Sequence, residues 1–146
     1  MKIILKKISA ESTISIRQQV LREGKPLESC YFDGDLLAST FHIGLFCDNI
    51  LVGIISVYKK NAPLFIDENQ YQIRGMAVLK DFQKRSFGEQ LVAHVENTLR
   101  PLKCNLIWFN ARISAIGFYE KMNYAQVGFS FTIENVGEHV VMFKKL

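Results

Sequence analysis

The chain has 146 residues, 49% of them hydrophobic and 22% charged, with a formal net charge of +4. This is the size of one domain, with enough apolar mass for a continuous core, so a single domain over residues 1–146 is expected without metal or disulfide staples. Cys30, Cys47 and Cys104 are odd in number and include no Cys-x-x-Cys pair, which points away from a disulfide framework and a zinc site and toward a reducing, cytoplasmic setting.

The opening run Met1-Lys2-Ile3-Ile4-Leu5-Lys6-Lys7 is too short for a secretory signal, and no later stretch approaches the roughly 20 apolar residues of a membrane span. Lys2 to Ile8 reads as a strand. Ser12 or Thr13 then caps a helix carrying Ile16, Val20 and Leu21, which Gly24 and Pro26 end. Phe41 to Cys47 and Ile50 to Tyr58 are β-branched and aromatic runs around Asp48-Asn49, a hairpin pattern. Tyr71 to Leu79 reads as a further strand in which Gly75 marks a bulge or a close backbone approach.

Phe87, Leu91, Val92, Val95 and Leu99 fall about four apart, as one face of a helix requires, and Pro101 follows its end. Leu106 to Phe109 is a short strand, Ser114 to Met122 a short helix, and Val127 to Ile133 with His139 to Phe143 a closing strand pair around Gly137. The expected order is β-α-β-β-β-α-β-α-β-β.

The chemistry concentrates where the fourth strand gives way to Leu79-Lys80-Asp81-Phe82-Gln83-Lys84-Arg85-Ser86-Phe87-Gly88 and then an amphipathic helix. Consecutive amides at a helix N-terminus bind phosphate oxygens. Small Ser86 and Gly88 admit an anion to the main chain, and Lys84 and Arg85 add charge. A solvated turn with a Ser cap is the alternative reading of these residues alone.

Gln83-x-x-Ser86-x-Gly88, preceded by the strand Gly75-Met76-Ala77-Val78, resembles the signature Arg/Gln-x-x-Gly-x-Gly/Ala of the GNAT superfamily of N-acetyltransferases. A second block, Asn110-Ala111-Arg112-Ile113-Ser114-Ala115-Ile116-Gly117-Phe118-Tyr119-Glu120-Lys121-Met122-Asn123-Tyr124, is similar to that family's later Phe-Tyr-Glu-Lys motif. The likeness covers residues 40–146 well and the first helical region loosely. Two positions depart from the pattern: Ser86 replaces the first signature glycine, and Asn123 replaces the glycine before the aromatic. Serine is small, and asparagine tolerates a left-handed backbone.

The resemblance implies an α+β (mixed α/β) fold with a central, mostly antiparallel, splayed sheet flanked by helices. It implies acetyl-CoA as the acyl donor, its pantetheine arm lying along Met76, Ala77 and Val78. The pyrophosphate would rest on the amides of Gln83, Lys84, Arg85, Ser86, Phe87 and Gly88, with Glu89 completing the turn. Asn110 would touch the pantetheine and Arg112 a cofactor phosphate. Tyr119 matches the tyrosine that protonates the leaving thiolate, the other reading being a packed aromatic. The oxyanion would accept from the amide of Val78 or Ala77.

The base stays open among Glu28, Asp33, Asp35, His42 and His139, or a water chain. Cys104 reads as a buried small hydrophobe and not an acetyl carrier. Arg17 and Arg22 read as solvated helix charges, although an acidic acceptor would also suit them. Dispersed basic residues and aromatics set in apolar runs argue against a nucleic-acid domain. The expected partner is a small-molecule or peptide amine, with neither nucleic acid nor membrane. A homodimer through Val140 to Phe143 and a non-catalytic acyl-CoA-binding module remain alternatives.

Overall fold

The computed structural model describes residues 1–146. Seven strands form one sheet in the order β1-β2-β3-β4-β5-β7-β6: β1 (Ile3–Ile8), β2 (Phe41–Cys47), β3 (Ile50–Lys59), β4 (Gln70–Val78), β5 (Leu106–Arg112), β6 (Ala125–Ile133) and β7 (Gly137–Lys145). Every neighbouring pair is antiparallel except β4 with β5, which a crossover helix, α2 (Phe87–Leu99), connects. The element order and the mixed, mostly antiparallel sheet are those expected from the sequence.

The β2–β3 hairpin turns on Asp48 (φ 48°) and Asn49 (φ 71°), both in the left-handed region that a two-residue turn matching the strand twist requires. The first helical stretch, α1 (11–21), changes pitch along its length. A 3₁₀ turn (Glu11–Thr13) passes into one α turn (Ile14–Ile16) and then a widened π turn (Arg17–Leu21). Neither expected cap acts as one: Ser9 Oγ accepts from the Ser12 amide at 3.2 Å, and the Thr13 hydroxyl donates back to Ala10 O. Gly24, at φ 73°, terminates the segment as expected.

The main core lies between α2 and one sheet face. Phe87, Leu91, Val92, Val95 and Leu99 pack on Ile43, Leu45, Val57, Ile73 and Ile107. Each such side chain contributes about 1.5–3 kcal/mol by leaving water. Glu96, buried on the same helix, accepts from Tyr124 Oη at 2.8 Å and Lys144 Nζ at 3.1 Å, tying α2 to β7. The last helix, α3 (Ile116–Glu120), is shorter than its apolar pattern suggests because a 3₁₀ turn (Ile113–Ala115) replaces its start and Asn123, at φ 73°, closes its end. Cys104 is buried, as expected. No helix is long and apolar enough to cross a membrane.

Candidate active site

Strands β4 and β5 share only three register pairs, Gln70 with Leu106, Tyr71 with Ile107 and Gln72 with Trp108. Beyond them β4 continues to Val78 against β3, and β5 to Arg112 against β7, leaving a cleft between two facing strand edges. The divergence begins at a bulge. Ser56 faces Arg74 and Ile54 faces Ala77, so β4 has Gly75 and Met76 where β3 has only Ile55. Gly75 sits at φ 65°, and a Cβ there would lie 3.0 Å from the Phe32 ring. Both readings of this glycine, bulge and close approach, are therefore met.

Past β4 the chain makes a 3₁₀ turn (Lys80–Phe82) and reaches α2 through Lys84 (φ 62°) and Ser86 (φ 64°), two left-handed residues around Arg85. Such alternation turns successive amides toward one side. The Ser86 hydroxyl caps nothing, and the first intrahelical bond runs from Gln90 N to Ser86 O. The amides of Lys84, Arg85, Ser86, Phe87, Gly88 and Glu89 consequently have no partner in the protein. The Gln83 amide donates to Lys80 O, so the free run starts at Lys84. Instead, the Gln83 side chain reaches the end of β4, its Nε2 donating to Val78 O at 2.9 Å.

This turn, the end of β4 and α3 enclose a cavity of about 470 Å³. Of the expected site residues, Met76, Ala77, Val78, Gln83, Lys84, Ser86, Phe87, Gly88, Glu89 and Tyr119 line it. Three do not. Arg85 is exposed and lies over the Phe82 ring, while Asn110 and Arg112 project from β5 into solvent. Val20, Phe82, Ala115 and Phe118 also line the cavity. Phe118 was within reach of sequence reading, since it stands beside Tyr119 in the quoted block; a Cβ on Gly88 would come within 3.2 Å of its ring. Val20 arrives through the fold of α1, which no local pattern announces.

Tyr119 packs against Phe109 at 4.3 Å and Phe118 at 5.0 Å between ring centres, and its hydroxyl has no partner in the protein. Burial pushes its phenol up to about 12, so it stays protonated at neutral pH. It packs as an aromatic, as one of the two sequence readings has it, and it also lines the cavity.

On the opposite sheet face lies a polar network that sequence reading missed. Arg17 is not a solvated helix charge but fully buried. It holds Asp35 through two bonds, at 2.7 and 3.1 Å, and donates to Cys30 O, Ser56 Oγ and Tyr58 Oη. Burial opposes ionisation of Asp35, but bonds from Arg17, Tyr58 and the Phe32 amide outweigh it and hold the carboxyl below its ordinary range. His42 pairs with Ser56 Oγ at 2.7 Å and Asp35 O at 3.1 Å, and burial lowers its pKa, keeping the ring neutral. Asp35 and His42 are therefore committed to one another's surroundings. His139 is also buried, with Nδ1 on Gly137 O at 2.8 Å, whereas Glu28 and Asp33 are exposed.

Comparison with known proteins gives a consistent picture. The family model described as "Acetyltransferase (GNAT) family" matches residues 11–124. The chain is 34% identical over 142 residues to the uncharacterized N-acetyltransferase YitI of Bacillus subtilis, covering 97% of this chain and 95% of that one. Among solved structures, Escherichia coli ElaA superposes with a TM-score of 0.77 at 15% identity, covering 98% and 99% of the two chains. An aminoglycoside 6'-N-acetyltransferase complexed with coenzyme A does so at 0.72 and 14% identity, covering 97% and 96%.

Proposed function

The chain belongs to the acetyltransferase (GNAT) family, and on that premise we propose that it transfers an acetyl group from acetyl-CoA to a primary amine of a small-molecule or peptide acceptor by direct attack. One observation carries this reading. Six unbonded amides, Lys84 to Glu89, lie on the turn that borders the cavity, all but that of Arg85 in residues lining it, and the unpaired edge of β4 borders the same cavity. A pyrophosphate suits the amides, and an extended pantetheine suits a strand edge that lacks a neighbour. Lys84 supplies charge, while Met76, Phe82, Phe87 and Phe118 supply apolar wall. Arg85, Asn110 and Arg112 reach such a ligand only from the rim.

The chemistry follows from the same residues. Attack by the amine nitrogen on the thioester carbon forms the C–N bond and places negative charge on the carbonyl oxygen. Leu79 N donates across to Val52 O, so strand alternation turns the N–H and C=O of Val78 the other way, toward the cleft. Gln83 occupies the Val78 carbonyl, which leaves its N–H as the oxyanion donor in preference to that of Ala77. Collapse breaks the C–S bond, and the protonated Tyr119 hydroxyl stabilises the departing thiolate. A phenol near 12 does so chiefly as a hydrogen-bond donor, because full transfer to a thiolate of pKa about 8.5 runs uphill. With Asp35 and His42 internally bonded, the amine's proton leaves through water.

The protein acts as one domain; Val140 and Met142 are buried on β7 between β5 and β6, so that run serves the core and not a dimer contact, and a homodimer would instead use the edge strand β6, where Phe129 is 96% exposed; sedimentation tests that pairing. The function is tested by thiol release from acetyl-CoA across a panel of amines, together with calorimetry on the wild type and Gly88→Asp. Saturable binding lost at least tenfold in the variant, with turnover of an amine, is the expected result. Binding without turnover of any amine would favour a non-catalytic acyl-CoA-binding module.

A further inference from the structure

Three guanidinium groups converge on one ring above the β4 bulge. The Cζ atoms of Arg17, Arg74 and Arg22 lie 3.9, 5.0 and 5.3 Å from the centre of Phe32. Arg17 is spent on Asp35, but its Nε is buried without a partner and lies 3.6 Å from where a Cβ of Gly75 would stand. Arg22 and Arg74 differ from it. Both are half-buried, and neither takes part in any of the four ion pairs of the chain. Each donates a single N–H, from Arg22 to Leu21 O and from Arg74 to Asp33 O, out of the five a guanidinium carries.

Two cations on one ring repel each other, and no carboxylate of the protein lies within 4 Å of either guanidinium. Stacking on Phe32 offsets part of the cost and orients the planar forks, leaving N–H edges free for a planar anion. The position matters too. Arg74 precedes the bulge and Met76 lines the cavity, so the cluster sits about 7 Å along β4 from it, at roughly 3.3 Å per residue. The cluster shares its sheet face with Ser56 and Tyr58, and α1, at whose end Arg22 stands, also lends Val20 to the cavity wall.

We propose that Arg22 and Arg74 recognise a carboxylate on the acceptor, so that the substrate is a small amine bearing its own carboxylate, such as an amino acid, and not a polycation. The inference rests on the acetyltransferase reading above and assigns the acceptor class for that same site. A paired fork on a carboxylate makes charge-assisted bonds that a neutral amide or ester in its place cannot reproduce. Polyamines and aminoglycosides would bring like charge to two unpaired arginines.

The test compares kcat/KM, by thiol release from acetyl-CoA, for amino acids against their own amides, with spermidine and kanamycin as polycationic amines. It is run on the wild type and on Arg74→Gln, Arg74→Lys and Arg22→Gln, with acetyl-CoA affinity measured in parallel. The acid-to-amide preference is expected to be about 10- to 100-fold in the wild type. It falls toward one in Arg74→Gln, is partly kept in Arg74→Lys, and drops in Arg22→Gln as an independent variant, with acetyl-CoA affinity retained throughout. A protein that binds acetyl-CoA yet prefers amides or polycations, acetylates none of the acids, or keeps its preference in both glutamine variants overturns the inference and leaves the cofactor site standing. A protein that binds no acetyl-CoA overturns the acetyltransferase reading and this inference with it.

Discussion

Replacing Arg17 by methionine tests whether the buried network holds the molecule together. The substitution fills a similar volume but removes five donated bonds and the only cation paired with Asp35. Asp35 then keeps the Tyr58 hydroxyl and the Phe32 amide, too little for an ion almost out of water. Breaking one side of a buried ion pair costs about 3–5 kcal/mol. Against a total stability on the order of 5–15 kcal/mol, this is a large fraction. For a chain of this length it corresponds to a melting point lower by roughly 10–15 °C. Urea unfolding of the wild type, Arg17→Met, Asp35→Asn and the double variant closes a thermodynamic cycle. The double variant is expected to lose clearly less than the sum of the singles, because it leaves no orphan charge. A loss under about 1 kcal/mol in Arg17→Met, or strict additivity, would mean that Arg17 and Asp35 do not act as a coupled buried pair.

Further outcomes follow from the same geometry. Ser86→Gly should raise stability by about 0.5 kcal/mol, since relief of the left-handed strain at φ 64° exceeds the added chain entropy, while keeping acetyl-CoA affinity; Ser86→Val should lose both, as thermal shift with and without ligand will show. Tyr119→Phe should lower kcat by about tenfold or more with little change in KM. Because the phenol titrates only near 12, the wild-type rate should show no loss attributable to it up to about pH 10. The lowered pKa of His42 means that the folded state binds its proton less readily than the unfolded chain, so its contribution is present above the ordinary histidine pKa of about 6.5 and is lost as pH falls below it. Melting temperature should therefore drop from pH 7 toward pH 5, and His42→Gln should flatten that slope.

What the sequence made legible was local. The Asp48-Asn49 turn, the apolar stripe of α2 and the Gln83 to Gly88 turn are all written in neighbouring residues, and their spacing survives folding unchanged. Of the two departures from the signature, Asn123 takes the left-handed backbone that asparagine tolerates, whereas Ser86, read only as small, takes it as well. The Arg17 network was not legible, because its partners lie 18, 39 and 41 residues away and a helix arginine looks the same in sequence whether solvated or buried. The apolar run of β5 stops at Phe109, where Asn110 and Arg112 interrupt it, yet both pair with β7 and merely face solvent. Likewise β6, nearly all exposed at the sheet edge, carries no burial pattern by which its start could be placed.

The most direct measurement is isothermal titration of the protein with acetyl-CoA and, side by side, with S-acetylpantetheine, which keeps the thioester arm but lacks the pyrophosphate. Saturable one-to-one binding of acetyl-CoA is expected, with an affinity at least tenfold weaker for the truncated donor, the difference reporting the nucleotide half of the ligand, whose pyrophosphate the six free amides from Lys84 to Glu89 would hold. Equal affinity for the two, or no saturable binding of acetyl-CoA, would contradict that placement.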